Sequence, residues 1–283
     1  MSDTLEKTIK LGLIGDNITR SQSPRLHRTA GRMTGLDVSY DRLIPKDLGL
    51  SFEETFARAQ ATGFRGINVT YPYKELAAKM VTIPDRTVAA IRAVNTVVFE
   101  DDGPKGYNTD YSGFKRAYRG VMGQASAGTV CLIGTGGVGK AVAFGLIDLG
   151  ADVLRLVDLD KTKADALADA LRPLAGRTRI EPGTDAVALA RGADGIVNCT
   201  PLGMVGIGGT PLPAPALAGA KWCFDAVYTP VKTTFLRDAG DTGLKIISGY
   251  ELFFGQGIDA WQIFTGQPLD HDALRQAISD EPG

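Results

Sequence analysis

Six residues constrain this chain more than any others: Gly134-Thr-Gly-Gly-Val-Gly139 stands directly after the apolar run Thr129-Val-Cys-Leu-Ile133 and directly before a helical pattern at residues 138–149. In that context a GxGxxG spacing predicts the strand, turn and helix of a βαβ unit that cradles a dinucleotide. Gly134 permits the tight turn, Gly136 lets backbone approach a pyrophosphate, and Gly139 lets helix and strand pack closely. The helix start, with Gly137 and Val138, offers unpaired N–H groups and a positive dipole end to the phosphates. Nineteen residues beyond Gly139 the next strand, Val153-Leu-Arg-Leu-Val157, ends at Asp158. An acidic residue about 20 positions on is placed to hydrogen-bond the adenosine ribose 2′-OH, and its charge repels a 2′-phosphate. The cofactor expected is therefore NAD rather than NADP. Arg155 and Lys161 are the nearby cations that could favour NADP, or that simply line a solvated face.

Short apolar or β-branched runs alternate with longer helical stretches along the whole chain, the signature of βαβ units and parallel sheets. A first series of strands reads at Leu11–Gly15, Val38–Ile44, Gly66–Thr70 and Asn95–Phe99, with helices at 24–34, 51–61 and 85–92. A second reads at Thr129–Ile133, Val153–Val157, Gly195–Asn198, Trp222–Asp225 and Leu244–Ile247, with helices at 138–149, 161–173 and 231–239. Between them Asp110–Tyr118 carries aromatic positions at Tyr111, Phe114 and Tyr118 and reads as a connecting helix. Two more helical stretches, Glu251–Thr265 and Asp272–Ser279, follow the second series, and Gly203–Pro215 reads as a long loop. At about 150 residues per domain, 283 residues make two domains, so the fold class is α/β with a Rossmann-type doubly wound second domain.

Composition narrows the classes of function. Lys plus Arg number 31 against 32 for Asp plus Glu, a net charge of −1, so the basic field of a nucleic-acid binder is missing. With 44% hydrophobic and 22% charged residues the chain can bury a core instead of staying disordered. Glycine is in surplus at 35 residues, about 12% against about 7% on average, and the stretches 134–139 and 203–209 absorb part of it. No apolar run approaches the ~18 residues of a membrane span, and Met1–Lys10 is polar with no apolar signal core. Cys131, Cys199 and Cys223 lie in apolar runs without metal-like spacing, so they are expected buried and reduced, which points to the cytoplasm. His27 and His271 are too few and too far apart for a His-rich metal site, and no metal is expected.

Polar groups in the first half cluster at strand ends, where α/β sheets bind ligands. Ser21-Gln-Ser23 sets two hydroxyls two residues apart, able to face one ligand from an extended segment, although Ser23 before Pro24 would also suit a helix N-cap. Asn68-Val-Thr-Tyr-Pro-Tyr-Lys74, Ala93-Val-Asn-Thr96 and Gly106-Tyr-Asn-Thr-Asp110 follow. Tyr71 and Tyr73 read as core packing or as ring contacts, and His27 as a packing or capping residue. These segments, the glycine loop, Asn198-x-Thr-Pro-Leu-Gly-Met204, Asp225-x-x-Tyr228-x-Pro230 and Gln256 together resemble the shikimate dehydrogenase family, over nearly the whole chain.

The resemblance implies a substrate-binding domain of residues 1–112 plus 248–283 around an NAD-binding Rossmann domain of residues 113–247, and reversible oxidation of the C3 hydroxyl of a cyclohexene or cyclohexane carboxylate. Ser21 and Ser23 would hold the carboxylate, with Tyr228 near it. Thr70, Asn95, Asp110 and Gln256 would bind ring hydroxyls, and Lys74 would stand beside the reacting oxygen. Met204 and Gly249 would approach the nicotinamide, with Thr200, Pro201 and Val227 lining the same region. Lys74 and Asp110 would be the catalytic pair: the ammonium would donate a proton to the developing alkoxide, and the aspartate would favour the charged amine. Asp158-Leu-Asp160 replaces the Asn-Arg-Thr cluster of common NADP-using members, which brings quinate forward as a substrate, whereas Ser23, where quinate-preferring members often carry threonine, favours shikimate. Ser248-Gly249-Tyr-Glu-Leu252 departs from the family's Asp-Gly-x-x-Met-Leu. The expectation is an NAD-dependent shikimate 3-dehydrogenase, monomer or homodimer, acting on a small-molecule carboxylate. The alternatives are a quinate or aminoshikimate dehydrogenase and a catalytically silent NAD-binding regulator, against which Lys74 and Asp110 speak.

Overall fold

A computed structural model describes residues 8–280; of the polar stretch Met1–Lys10, Met1–Lys7 lies outside the described residues. The chain divides into two compact units, one of Met1–Thr109 with Gly257–Gly283 and one of Asp110–Gln256.

The first unit is built on a five-stranded sheet of β1 (Ile9–Ile14), β2 (Val38–Leu43), β3 (Gly66–Val69), β4 (Thr96–Glu100) and β5 (Gly103–Tyr107), in the order β2-β1-β3-β4-β5. β1 pairs parallel with β2 and β3, whereas β4 runs antiparallel to β3 and β5 antiparallel to β4. The sheet is therefore mixed, where the sequence pattern predicts parallel strands alone. Its helices are α1 (Ser23–Thr34), α2 (Pro45–Leu48), α3 (Phe52–Ala61), α4 (Lys74–Ala77) and α5 (Arg86–Ile91). The start of α3 is fixed by a capping box, in which Ser51 Oγ accepts from the Glu54 N–H while the Glu54 carboxylate accepts from the Ser51 N–H. One core packs Phe52 and Phe56 of that helix against Ile14, Ile67, Val69 and Val97. The opposite face packs Leu11, Leu13, Tyr40 and Val98 against Ala260 and Phe264, so a helix from the chain's C-terminal part closes the first sheet.

α6 (Thr109–Met122) leads into the second unit, whose six strands are β6 (Gly128–Ile133), β7 (Ala151–Val157), β8 (Arg179–Gly183), β9 (Gly195–Asn198), β10 (Trp222–Asp225) and β11 (Lys245–Ile247). All pair parallel, in the order β11-β10-β9-β6-β7-β8. This is the doubly wound order, with its reversal between β6 and β9, where such sheets bind dinucleotides. Its helices are α7 (Gly137–Asp148), α8 (Lys161–Leu171), α9 (Ala186–Ala190) and α10 (Thr234–Asp241); α11 (Gly249–Thr265) returns the chain to the first unit, and α12 (His271–Asp280) follows. Among the described residues no helix is long and apolar enough to cross a membrane, and no three His, Cys, Asp or Glu side chains group as a metal site.

Candidate active site

In the first unit, topology brings the polar segments to one sheet edge. β1 and β3 are parallel and end there, at Ile14 and Val69; antiparallel β4 begins there at Thr96, and β5 ends there at Tyr107. Ser21 and Ser23 follow β1, Thr70 and Lys74 follow β3, Asn95 precedes β4, and Asn108 and Thr109 follow β5. The mixed sheet, not a parallel one, is what assembles these four segments.

Ser21 Oγ donates to Ser23 Oγ at 3.2 Å and accepts from the Ser23 N–H at 3.3 Å. Gln22, not Ser23, occupies the N-cap of α1, and no side chain caps it. The two buried hydroxyls thus sit at an uncapped helix start, and the Arg42 guanidinium donates to the Ser21 carbonyl at 2.8 Å. Thr70 lies so close to β1 that a Cβ on Gly15 would meet its Cγ2 at 2.4 Å, so the glycine is a requirement of that approach. Lys74 opens α4 with a buried side chain, and its carbonyl accepts from the Val94 N–H at 2.9 Å. Asn95 is buried, and its carbonyl accepts from the Val69 N–H at 2.8 Å. Thr70, Lys74 and Asn95 are thereby tied into one edge by backbone bonds.

Tyr73 packs on Phe52, with its hydroxyl bonded to Asp16, while Tyr71 is 65% exposed and packs in no core. His27 is fully buried and stacks on Tyr40 at 4.9 Å. Burial pulls its pKa down to about 3, against a raising hydrogen bond to Asn68, so the ring is neutral.

In the second unit the glycine loop has the form its spacing predicts. Gly134 has φ +96°, and a Cβ on Gly139 would meet the Gly134 carbonyl oxygen at 1.9 Å, so neither position accepts a side chain. Gly136 is the N-cap of α7 with no side-chain cap, and a Cβ there would meet nothing within 4 Å. Bare backbone and uncapped N–H groups of a twelve-residue helix make a cradle that fits a pyrophosphate. Asp158 closes it on one side: one carboxylate oxygen accepts from the Thr135 N–H at 2.9 Å and hydroxyl at 2.8 Å, the other from the Asp160 N–H at 3.1 Å. Partial burial raises its pKa, but these bonds outweigh burial and hold it below the ordinary value, so it is an anion. Arg155 is committed to Glu181 at 3.2 Å and to the carbonyls of Leu189 and Arg191, and Lys161 to Asp165 at 2.7 Å. Arg155 is thus turned away from the carboxylate, and the cation whose charge acts on Asp158 is Lys163.

Two segments beyond the loop carry further sequence-predicted residues, and the first residue of the Asp225-x-x-Tyr228 motif joins them. Asp225, at the end of β10, is fully buried. One of its carboxylate oxygens accepts from Asn198 Nδ2 at 2.9 Å and the Val227 N–H at 3.0 Å, and the other from the Thr233 hydroxyl at 2.6 Å. Asn198 Oδ1 in turn accepts from the N–H and hydroxyl of Thr200, and its amide donates to the Leu202 carbonyl. Thr200, Pro201 and Met204 on one side and Val227 and Tyr228 on the other are held from this point. Burial pushes the Asp225 carboxyl up to about 6, against the lowering bonds from Thr233, Val227 and Asn198. Tyr228 stacks on Phe253 at 5.0 Å, and Gly249 lies where a Cβ would meet the Val227 carbonyl oxygen at 2.6 Å. Buried Asp110 lies in the first turn of α6, and one turn on a Cβ at Gly113 would meet the Gln256 backbone N at 2.8 Å. Thr135 and Thr233, which bond to Asp158 and Asp225, are specified by no motif of the sequence. The Asn198 and Asp225 motifs were visible, but their bonding to each other was not. Cys131 and Cys223 are buried with thiols pushed up to about 12 by burial, while Cys199 is only half-buried.

Residues 13–97 match the family model described as the shikimate dehydrogenase substrate binding domain. A quinate/shikimate dehydrogenase (NAD(+)) of Corynebacterium efficiens is 38% identical over 95% of this chain and 96% of its own length. A shikimate dehydrogenase (NADP(+)) of Pseudarthrobacter chlorophenolicus is 36% identical over 94% of this chain and 92% of its own. Among solved structures, quinate dehydrogenase from Corynebacterium glutamicum in complex with NAD superposes with a TM-score of 0.86 at 33% identity, covering 97% of this chain and 99% of that one. Shikimate 5-dehydrogenase from Thermus thermophilus in complex with NADP(H) and shikimate gives 0.82 at 30% identity, covering 96% and 98%.

Proposed function

The chain belongs to the shikimate dehydrogenase family, and on that premise we propose that it is an NAD-dependent oxidoreductase interconverting shikimate and 3-dehydroshikimate at the C3 hydroxyl, with quinate a second substrate. The observation that carries the reading is the edge of the first sheet, where buried hydroxyl and amide groups and the buried Lys74 lie on segments that end together. Such a set suits a polyol, because each ring hydroxyl left unpaired in a closed site costs about 1–3 kcal/mol.

In this reading Ser21 and Ser23 hold the substrate carboxylate, helped by the uncapped start of α1, and Tyr228 stands near it. Thr70, Asn95, Asp110 and Gln256 bind the ring hydroxyls. Reducing the ketone leaves negative charge on the C3 oxygen, and the Lys74 ammonium donates its proton there; in the oxidising direction the same nitrogen must be neutral to take it back. Asp110 supplies the negative charge that the ammonium form requires. Gly134, Gly136, Gly137, Val138 and Gly139 would hold the NAD pyrophosphate and Asp158 the ribose hydroxyls, while Thr200, Pro201, Met204, Val227 and Gly249 line the nicotinamide. When bound, the nicotinamide supplies or accepts the hydride. The preference for NAD over NADP is supported by the anionic Asp158 and by the bonds that hold Arg155 on Glu181 and on the carbonyls of Leu189 and Arg191. Three free thiols support a reducing, cytoplasmic setting, and the assembly proposed is a monomer or homodimer.

The test is a panel of shikimate, quinate and aminoshikimate, each with NAD and with NADP, followed by the absorbance of the reduced nicotinamide. Turnover of shikimate with NAD ahead of the other combinations is expected. Faster turnover of quinate would move the substrate assignment, preference for NADP would overturn the role of Asp158, and no turnover on any of them would favour a non-catalytic NAD-binding protein.

A further inference from the structure

We infer that Asn95 meets its ligand as a hydrogen-bond donor only, because a buried chain of bonds from His27 and Tyr40 through Asn68 and Thr96 fixes the direction of its amide. The inference rests on the reading of Asn95 as a substrate contact. An amide side chain can present either end, and which end it presents decides whether it recognises a lone pair or a proton.

The direction follows from groups that have no choice. A backbone carbonyl only accepts, so the Asn68 end that lies 3.3 Å from the Asn95 carbonyl is the Nδ2 end. Its Oδ1 therefore faces the other way, where it accepts from the Tyr40 hydroxyl at 2.8 Å and from His27. The same Nδ2 donates to Thr96 Oγ1 at 3.0 Å, and of the two acceptors within reach of the Thr96 proton, Asn95 Oδ1 at 3.0 Å is nearer than Thr109 Oγ1 at 3.3 Å. A backbone N–H only donates, and that of Thr109 lies 2.8 Å from the same Asn95 Oδ1. Two donors thus converge on the oxygen, and Asn95 Nδ2 is left to donate, one N–H going to Thr109 Oγ1 at 3.0 Å. The second N–H has no acceptor among the described residues. All six side chains are buried, so reversing the amide would set its NH2 against the Thr109 N–H, a clash of two donors away from water.

A donor-only Asn95 suits a ring hydroxyl oxygen or a carbonyl, each of which offers lone pairs, and it opposes an ammonium at that ring position, which offers none. His27, Tyr40, Asn68 and Thr96 are positioning residues in this scheme; none of them needs to touch substrate.

Two measurements test it. A neutron structure of the deuterated protein reads the amide directly: two deuterons on the Asn95 atom nearest Thr109 Oγ1, and none on the atom facing the Thr109 N–H, are expected, and the reverse assignment overturns the inference whether or not the protein turns over any substrate. In kinetics, Thr96→Val, which keeps the shape and removes the hydroxyl, is expected to lower kcat/KM about tenfold, with Thr96→Ser restoring it. In the Asn95→Ala background Thr96→Val should cost nothing further, because it acts through Asn95. An additive loss, or none, overturns the inference. If Thr96→Val does not fold, Tyr40→Phe, which removes one of the two donors to Asn68, carries the same cycle with a loss of about threefold. A wild type inactive on both shikimate and quinate would instead overturn the proposed function, with the neutron result standing by itself.

Discussion

Asp225 is the point at which the second unit is most open to a quantitative test, because it is a fully buried carboxyl raised from 3.8 to about 6. The native state binds this proton more tightly than the unfolded chain, so between those two values acid favours the fold. The contribution is absent above about pH 7, grows as pH falls through about 6, and is complete near 3.8, where it reaches about 3 kcal/mol at 1.36 kcal/mol per unit. From about pH 7.5 to about pH 4.5 it amounts to about 2 kcal/mol. Asp225→Asn removes the titration and keeps the shape. Its oxygen can still accept from Asn198 and Val227, and its NH2 can donate to the Thr233 oxygen. Urea unfolding of wild type and Asp225→Asn, each in a Trp261→Phe background so that buried Trp222 reports the second unit, gives the stability difference at each pH. Wild type should gain about 2 kcal/mol on the variant as pH falls from about 7.5 to about 4.5. A difference that stays flat over that interval would refute the reasoning. Protonation turns only the bond to Thr233, whose oxygen still caps α10 through the Leu236 N–H, so the KM for NAD should hold over the same interval. A rise in that KM with a midpoint near pH 6, lost in the variant, would show that the charge itself holds the cofactor segments.

Lys74→Ala should lower kcat by a factor of about 10²–10⁴ while changing substrate KM little, read from steady-state kinetics; unchanged turnover would remove the lysine from the chemistry. Asp158→Ala should lower kcat/KM for NAD about 10- to 100-fold and NADP far less, since the lost bonds to the ribose are charge-assisted. Equal losses with both cofactors would mean that Asp158 serves only to hold Thr135. Gly139→Ala places a methyl group 1.9 Å from the Gly134 carbonyl oxygen, so the turn must open. NADH binding, followed by the cofactor's fluorescence, should disappear while the first unit keeps its melting transition, and normal binding would contradict the close packing of helix on turn.

The features legible in the sequence are those that backbone geometry imposes locally. The turn at Gly134 and the contact at Gly139 admit no side chain, and the strand before and helix after them have unambiguous periods. The two strands that the sequence pattern does not announce share a cause. β5 reads Gly-Pro-Lys-Gly-Tyr and β8 reads Arg-Ile-Glu-Pro-Gly, and both lie at sheet edges, where a proline's missing N–H costs no ladder bond and where alternation is not enforced by burial on two faces. Missing β5 also hid the antiparallel direction of β4, and with it the reason Asn95 and Thr109 reach the same edge as Thr70. Direction is a property of pairing, and a strand's own residues do not encode it. For the same reason Asn68 and Asp225 were visible only as polar residues at strand ends, their partners lying 28 and 27 positions away in the chain.

Those two residues solve one problem with different chemistry. In each unit adjacent strands place a buried amide opposite a second polar residue, Asn68 across from Thr96 on β3 and β4, and Asn198 across from Asp225 on β9 and β10. In each, backbone groups that can only donate or only accept fix the amide: the Asn95 carbonyl for Asn68, and the Thr200 N–H for Asn198. The first hub is neutral, and its imidazole, His27, is pulled down to about 3, so it keeps one hydrogen-bond pattern from neutral pH well into acid. The second must accept from three donors at once, two of them obligate, which a carboxylate does and a hydroxyl or amide of that size cannot do without leaving a proton unmatched. Burying that charge costs stability that the neutral hub does not forfeit. The consequence is a division of labour set by hydrogen-bond arithmetic: the segments carrying Asn95 and Thr109 keep their geometry across the physiological range, and acid acts on the fold first through the segments that Asp225 holds.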